Sequence, residues 1–379
     1  MHEGSRIRSI MRKTVVTLGL AFVFLVVVGR DVRAQVSNSV DFTLSPGSQA
    51  ALTAATGMSG PDLERLIRSK LDGLFQVTNA GRFLQNFGDA QSFTSKGMGV
   101  DYASEATYFE VGGATSFALG MDRTYQPGNT NGFPIQGVGL NASVMGGVSL
   151  GFLGIPVMLF GNGMHVPTQR YGDMSGSLDN WGVHAQLRLF GPSRGMSGLK
   201  MLVRWGGIAV TTGFDYSHMH LGLTHDVVSN FSIPSSTNTA DVNVDVRGSA
   251  SGQAHFNVDM TTKSIPLELT TSLRLLTLLT VYGGMGFDFQ LGGGSAVDLA
   301  LDASMLGHIP PTATQGASNP DLGTAQIHAV ANVDPSAAKI RGILGLQVNL
   351  FMVRLFTQVN IADNNTTMAS LAAGVRVAY

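Results

Sequence analysis

The chain has 379 residues, a formal net charge of −1, 13% charged and 44% hydrophobic residues, 48 glycines and no cysteine. The missing cysteine excludes disulfides, zinc knuckles, thiol catalysis and a lipid-anchoring cysteine. The charge balance, which falls to roughly −5 without residues 1–34, argues against a nucleic-acid partner.

Arg12 and Lys13 precede an apolar run over residues 15–28, and Val32-Arg33-Ala34 stands before Gln35. This order of basic, apolar and small residues predicts a secretory signal peptide over residues 1–34, whether translation begins at Met1 or Met11. The rest of the chain has no apolar run long enough for a membrane helix.

Residues 35–104 form a separate N-terminal segment. Pro61 suits a first helical position, and Asp62 and Glu64 suit a first turn, where the helix dipole favours anions. Leu63, Leu66, Ile67, Leu71, Leu74 and Phe75 share one face, with Arg65, Arg68, Lys70 and Asp72 mostly opposite. That spacing predicts an amphipathic helix over residues 61–76. The stretch after it, through Lys96-Gly97-Met98-Gly99, reads as irregular, and the whole segment as a plug.

From residue 105 to 379 the period drops to two. Val111, Thr115, Phe117 and Leu119 alternate with Glu110, Gly112 and Ser116. Leu140, Val144 and Val148 alternate with Asn141, Ser143 and Met145. Val157 and Leu159 alternate with Met158, Phe160 and Asn162, and Trp181, Val183 and Leu187 with His184, Gln186, Arg188 and Phe190. Later strands carry Leu269 and Leu273 against Glu268 and Arg274, Met285 and Phe287 against Gly286 and Asp288, Leu344 and Leu346 against Arg341 and Gln347, and Leu355 and Ile361 against Arg354 and Phe356. One face is almost free of charge and the other is Gly, Ser, Asn, Gln and Arg. A soluble sandwich would put charge outside. The pattern instead predicts an all-β fold, a transmembrane antiparallel β-barrel of about ten strands, within a range of 8–14.

Turns near Gly154, Leu276-Thr277 and Phe351-Met352 are very short and are placed on the periplasmic side. Segments 122–136, 165–179, 223–239 and 305–323 are richer in turn residues and read as extracellular loops. Gly292-Gly293-Gly294 predicts a bend in one strand, after which Val297, Leu299 and Leu301 resume alternating and the hairpin around residues 280–350 projects beyond the membrane.

Three sets of residues are candidates for function. Arg188, Arg204, Arg274, Arg354 and Arg376 point inward near the periplasmic end, joined by Glu110 and Glu268. They form either an anion-favouring ring or internal salt bridges, with Asp62, Glu64 and Asp72 of the plug as further partners. Met145, Met158, Phe160, Phe190 and Phe356 are apolar yet inward, and either pack on the plug or line a path for a small hydrophobic ligand. His218 and His220 share a face near Asp215, His225 and Asp226, a spacing compatible with a metal or a hydrolase site. No catalytic arrangement and no cofactor motif is legible, and no cofactor is expected.

The last residues close the case for compartment. Leu371, Ala373, Val375, Val377 and Tyr379 share one face of a strand that ends on an aromatic, which resembles the C-terminal assembly signal of the Gram-negative outer-membrane β-barrel superfamily. The resemblance implies an outer-membrane location, contact with lipid, and recognition by the barrel-assembly machinery through the strand ending at Tyr379. A helical segment ahead of the barrel, with inward Met and Phe, is similar to the long-chain fatty-acid outer-membrane transporter family, in which an N-terminal hatch occludes the barrel. That similarity implies passive transport of small, possibly hydrophobic, molecules gated by the plug. The alternatives are a sealed barrel whose extracellular loops carry the function, and, behind it, an outer-membrane hydrolase.

Overall fold

The computed structural model describes residues 35–56, 58–74, 80–103, 108–122, 136–191, 203–233, 246–276, 278–308, 321–363 and 366–379. The signal peptide and parts of the predicted loops lie outside them. The chain begins with strand β1 (Gln35–Leu44) and helices α1 (Pro46–Thr56), α2 (Gly60–Leu74) and α3 (Ala80–Thr94). Strands follow as β2 (Phe109–Asp122), β3 (Gln136–Ser149), β4 (Val157–Tyr171), β5 (Met174–Phe190), β6 (Val203–Ile233) and β7 (Val246–Leu275). The last are β8 (Leu279–His308), β9 (Asp321–Val333), β10 (Ala338–Leu350), β11 (Val353–Asp363) and β12 (Thr366–Ala378).

All pairings are antiparallel, and ten of the twelve strands close on themselves in the order β2 to β8, then β10, β11 and β12 back to β2. Closure pairs backbone groups that would find no water to bond within the membrane. The β3–β4 seam is short, Val144–Ser149 against Met158–Gly163, and beyond it Leu140 N donates to Gln91 Oε1 at 3.3 Å and Ala142 O accepts from Asn180 Nδ2 at 2.8 Å. The seam joins Leu371 to Phe117 in register, and Tyr379 N donates to Phe109 O at 2.9 Å. Tyr379 also stacks on Tyr108 and Phe109, with ring centroids 6.0 and 5.9 Å away.

The two-residue period decides which side each residue takes. Leu140, Val144, Leu269, Met285, Leu344, Leu355 and Leu371 are exposed on the outer surface, whereas Asn141, Ser143, Thr270, Gly286, Arg341, Phe356 and Ala372 are buried inside. An exposed apolar wall over a buried polar one is stable only against lipid. Trp205 marks the lower edge of this belt, and Trp181, stacked on Tyr216, marks the upper. On β6 that interval is about 25 Å for strands tilted as in such barrels.

One end of the ring carries the tight turns. These are a 3-10 turn over Leu150–Leu153 closed by Gly154 at φ 75°, and reversals at Leu276 (φ 51°) and Phe351 (φ 55°). At the other end the sheet does not stop. β6, β7 and β8 run 31, 30 and 30 residues, where about 9–11 suffice to span a bilayer. Segments 165–179 and 223–233, expected as loop, are therefore largely strand; polar composition marks solvent exposure here, not absence of pairing.

Above the membrane β8 changes partner, pairing with β10 up to Phe289 and with β9 from Ser295, which in turn pairs with β1. Between them a bulge falls opposite Lys263 and Ser264, with Gly292 and Gly293 at φ 141° and 136°. The extra residue inverts the alternation. Tyr282, Gly286 and Asp288 face inward before it; Ser295, Val297, Leu301, Ala303 and Met305 do so after it. Val297, Leu299 and Leu301 thereby continue the inner surface, and that surface is covered by helices.

Leu63 and Ile67 of α2 bury against Phe42, Leu44, Leu301, Met305, Leu322 and Ile327 of the projecting sheet. The predicted amphipathic helix is present but docks outside the barrel, not in its lumen; the flat apolar sheet face fits its stripe, and the polar lumen does not. The lumen is filled instead by α3 and residues 95–103. Helix α3 was expected to be irregular. Its Phe83, Leu84 and Phe87 share one face and pack on Val258, Met260, Val297 and Ala331 of the projecting sheet, and its second half, with Ala90 and Phe93, meets the barrel wall.

Candidate functional site

The interior of the ring is where the polar and charged residues of this chain converge. Three features of the wall make room for α3. Gly137 and Gly139 of β3 and Gly120 of β2 face it, and a Cβ at Gly139 would stand 2.6 Å from Ala90 O, while one at Gly120 would stand 3.1 Å from Asn86 O. Helix and strand backbones thus touch directly, an approach only glycine permits.

Polar contacts then tie the segment to the wall at three heights. Nearest the projecting sheet, Asp89 pairs with Lys339 at 2.7 Å and accepts bonds from Ser336 N and Oγ at 3.0 and 2.6 Å. Two residues on, Gln91 donates to Ser217 Oγ at 3.0 Å, and a turn past Asp89 the Phe93 ring packs on Ala118, Ala362 and Met368.

In the middle, Lys96 donates to Asp215 Oδ2 at 2.8 Å and to Ser264, with Asp288 at 3.9 Å. His184 Nε2 stands 3.2 Å from the other Asp215 oxygen. Arg341 completes this layer, donating to Asp288 and Asn360 at 2.8 Å each and to Glu268. Tyr102 donates to the second oxygen of Glu268 at 2.5 Å. The lysine and the arginine are fully buried, so their charges persist only because each meets carboxylates at bonding distance.

At the short-turn end, Asp101 pairs with Arg376 at 3.0 Å and Arg354 at 3.4 Å, and Arg376 also donates to Val100 O at 2.7 Å. The Arg376 guanidinium lies 3.9 Å above the centre of the Phe356 ring, a cation–π contact strengthened by burial. Glu110 is buried in the field of Asp101, Arg376 and Arg354.

The five arginines therefore form two arcs. Arg354 and Arg376 are register partners on β11 and β12 and share Asp101; Arg204 and Arg274 are register partners on β6 and β7, with Arg188 on neighbouring β5. Arg188 borders a cavity of about 20 Å³ with Tyr102, Gln186 and Thr270, room for one water. Asp62, expected to meet the arginines, is an exposed partner of Arg65 at 3.1 Å; Glu64 lies on the same docked helix, and the side chain of Asp72 is outside the described residues. Asp101 takes their place.

Of the apolar inward set, Met145 and Phe356 pack on Met98, and Phe160, with Met158 beside it, packs on Val100, Tyr102 and Tyr282. Phe190 is half exposed, because a bulge between it and Arg188 turns it out of the interior. His218 and His220 sit on the outer surface, 3.8 and 3.7 Å from Asp259, and Asp215 faces the lumen away from them. No group of three or more His, Asp or Glu able to hold a metal occurs among the described residues.

Sequence reasoning missed Asp89, Lys96, Asp101 and Lys339. The one available signal was charge in a glycine-dotted stretch, since Gly97 and Gly99 bring the backbone against Gln358 and Asn162 of the wall.

A closed antiparallel ring with an apolar outer belt and a filled polar interior is an outer-membrane β-barrel, here with its own N-terminal segment in the lumen. Its relatives are found by sequence over most of its length. The chain belongs to the Lsa36-like family, which it matches over residues 49–379. No curated protein matches it. Among solved structures it is similar to the translocator domain of the autotransporter NalP from Neisseria meningitidis, at 12% identity over 73% of this chain and 90% of that one, with a TM-score of 0.26. It is also similar to Ail of Yersinia pestis (8% identity, 73% and 100% covered, TM-score 0.24) and to a FadL homologue of Pseudomonas aeruginosa (6%, 78% and 98%, 0.24).

Proposed function

We propose that this protein is an occluded outer-membrane barrel that mounts a sheet-and-helix unit on the cell surface, where its interactions take place. The observation that carries this reading is Lys96, fully buried in mid-lumen and held by Asp215 of β6 with Asp288 of β8 close by. A segment anchored there, at Asp89 above and at Asp101 below, cannot slide without breaking all three anchorages together. The lumen groups that could have bound a solute are spent on the plug, while β6–β9, β1 and α2 build a separate core beyond the membrane.

The competing function is gated transport of small hydrophobic molecules. It draws on Met145, Phe160 and Phe356, which would line an apolar path if residues 95–103 withdrew. Single-channel recording of the full chain in a planar bilayer separates the two. Occlusion predicts no steady conductance, and a deletion of residues 80–103 that conducts. Steady conductance of the unmodified protein, or its uptake of a hydrophobic solute into liposomes, would overturn occlusion.

A further inference from the structure

The plug has a direction. Asn86 lies beside Gly120 and Gly137, near the ends of β2 and β3 that face the projecting sheet. Asp101 lies beside Arg376, next to the short turns, and β2 begins at that same end, where Tyr108 N donates to Tyr379 O at 2.9 Å. Upstream of the plug, β1 pairs with β9 from Gln35–Asn332 to Leu44–Gly323, entirely on the far side of the membrane belt. The intervening residues suffice for the crossing: the fifteen residues of α3 rise about 22 Å at 1.5 Å each, and the extended stretch to residue 103 adds more.

From this threading we infer that the barrel delivers its own N-terminal unit, β1–α1–α2, to the cell surface and keeps residues 80–103 in the pore as the tether. A leader ahead of Gln35 brings this end to the periplasm first, so β1 has to cross the membrane that the barrel spans. It crosses unfolded. A helix with its side chains is about 10–12 Å wide, and in this lumen one helix already touches the wall backbone to backbone. The driving force waits outside. Phe42, Leu44, Leu63 and Ile67 are buried in a core that the inner face of the projecting β7, β8 and β9 completes, so folding there makes the passage one-way.

The inference rests on the sidedness adopted above, with short turns in the periplasm, and its test separates the two. The chain has no cysteine, so single substitutions report location without background. Ser39 of β1, Asp302 on the outer face of projecting β8, and Phe351 in a short turn are all exposed. Each would be changed to cysteine in turn, in the full chain, and intact cells treated with a membrane-impermeant maleimide. The expected result is labelling of Ser39→Cys and Asp302→Cys in intact cells, and of Phe351→Cys only after the outer membrane is permeabilised. If Asp302→Cys labels in intact cells but Ser39→Cys needs permeabilisation, self-delivery is overturned and the surface mount stands. If Asp302→Cys needs permeabilisation while Phe351→Cys does not, the sidedness is reversed and both readings fall. A second variant carries a stably folded domain between the leader and Gln35. Passage in unfolded form predicts that this domain blocks labelling of Ser39→Cys at least tenfold relative to an unstructured insert of equal length; equal labelling of the two would overturn it.

Discussion

Asp101, at the lower end of the plug, is bonded to Arg376, three residues from the end of the sequence and on the strand that closes the barrel; the two side chains are 3.0 Å apart and both are buried. The pair links the segment that fills the lumen with the strand that closes the ring. Asp101→Asn leaves Arg376 and Arg354 without their shared carboxylate. The expected cost is about 3–5 kcal/mol, the usual penalty for orphaning a buried charge. A lowered denaturant midpoint of the refolded barrel checks it, with the double variant Asp101→Asn/Arg376→Gln losing less than the two single losses combined.

The glycine contact under α3 makes a prediction about position. Gly139→Leu places a side chain where Ala90 O now stands, 2.6 Å from the first added carbon, and displaces the helix while leaving strand pairing intact. The plug should become sensitive to added protease, and the barrel should begin to conduct. Ala142→Leu, on the outward-facing alternation of the same strand, should do neither.

Membrane-facing and water-facing parts of one sheet should answer differently to the same charge. Val144 is 63% exposed on the belt, and Arg there should cost about 2–4 kcal/mol. Gln326 is exposed on β9 beyond the membrane, so Gln326→Arg should stay within about 0.5 kcal/mol. Equal midpoints for the two variants would mean that the projecting sheet is not in water.

The core under α2 is separable from the lumen. Ile67 is 1% exposed among Phe42, Leu301 and Met305, and Ile67→Ala should weaken docking by about 2–5 kcal/mol. Limited proteolysis should then release β1 to α2 while the barrel resists and remains non-conducting. Conductance arising from this variant would show that the plug and the surface unit are one cooperative body.

Local pattern carried much of this architecture. Alternation every two residues is imposed by the strand itself, so an apolar outer face, about ten membrane strands, the tight turns at Gly154, Leu276 and Phe351, and a helix near residues 61–76 were legible from the sequence. Partnership was not. Whether Leu63 and Ile67 met a lumen or a sheet, whether Asp62 or Asp101 answered the arginines, and whether Phe190 turned in or out depended on which distant segments came to lie beside them. The bulge beside Gly292 and Gly293 shows why: the glycine run announces a bend, but that one residue goes unpaired and inverts every later side chain on β8 is decided by its pairing with β7. Helix α3 shows the same from the other side. Phe83, Leu84, Phe87 and Ala90 recur at helical spacing, but nothing in that spacing says where the helix lies, so its place in the pore was decided by tertiary structure, through burial of Lys96 and Asp101 against residues more than a hundred positions away.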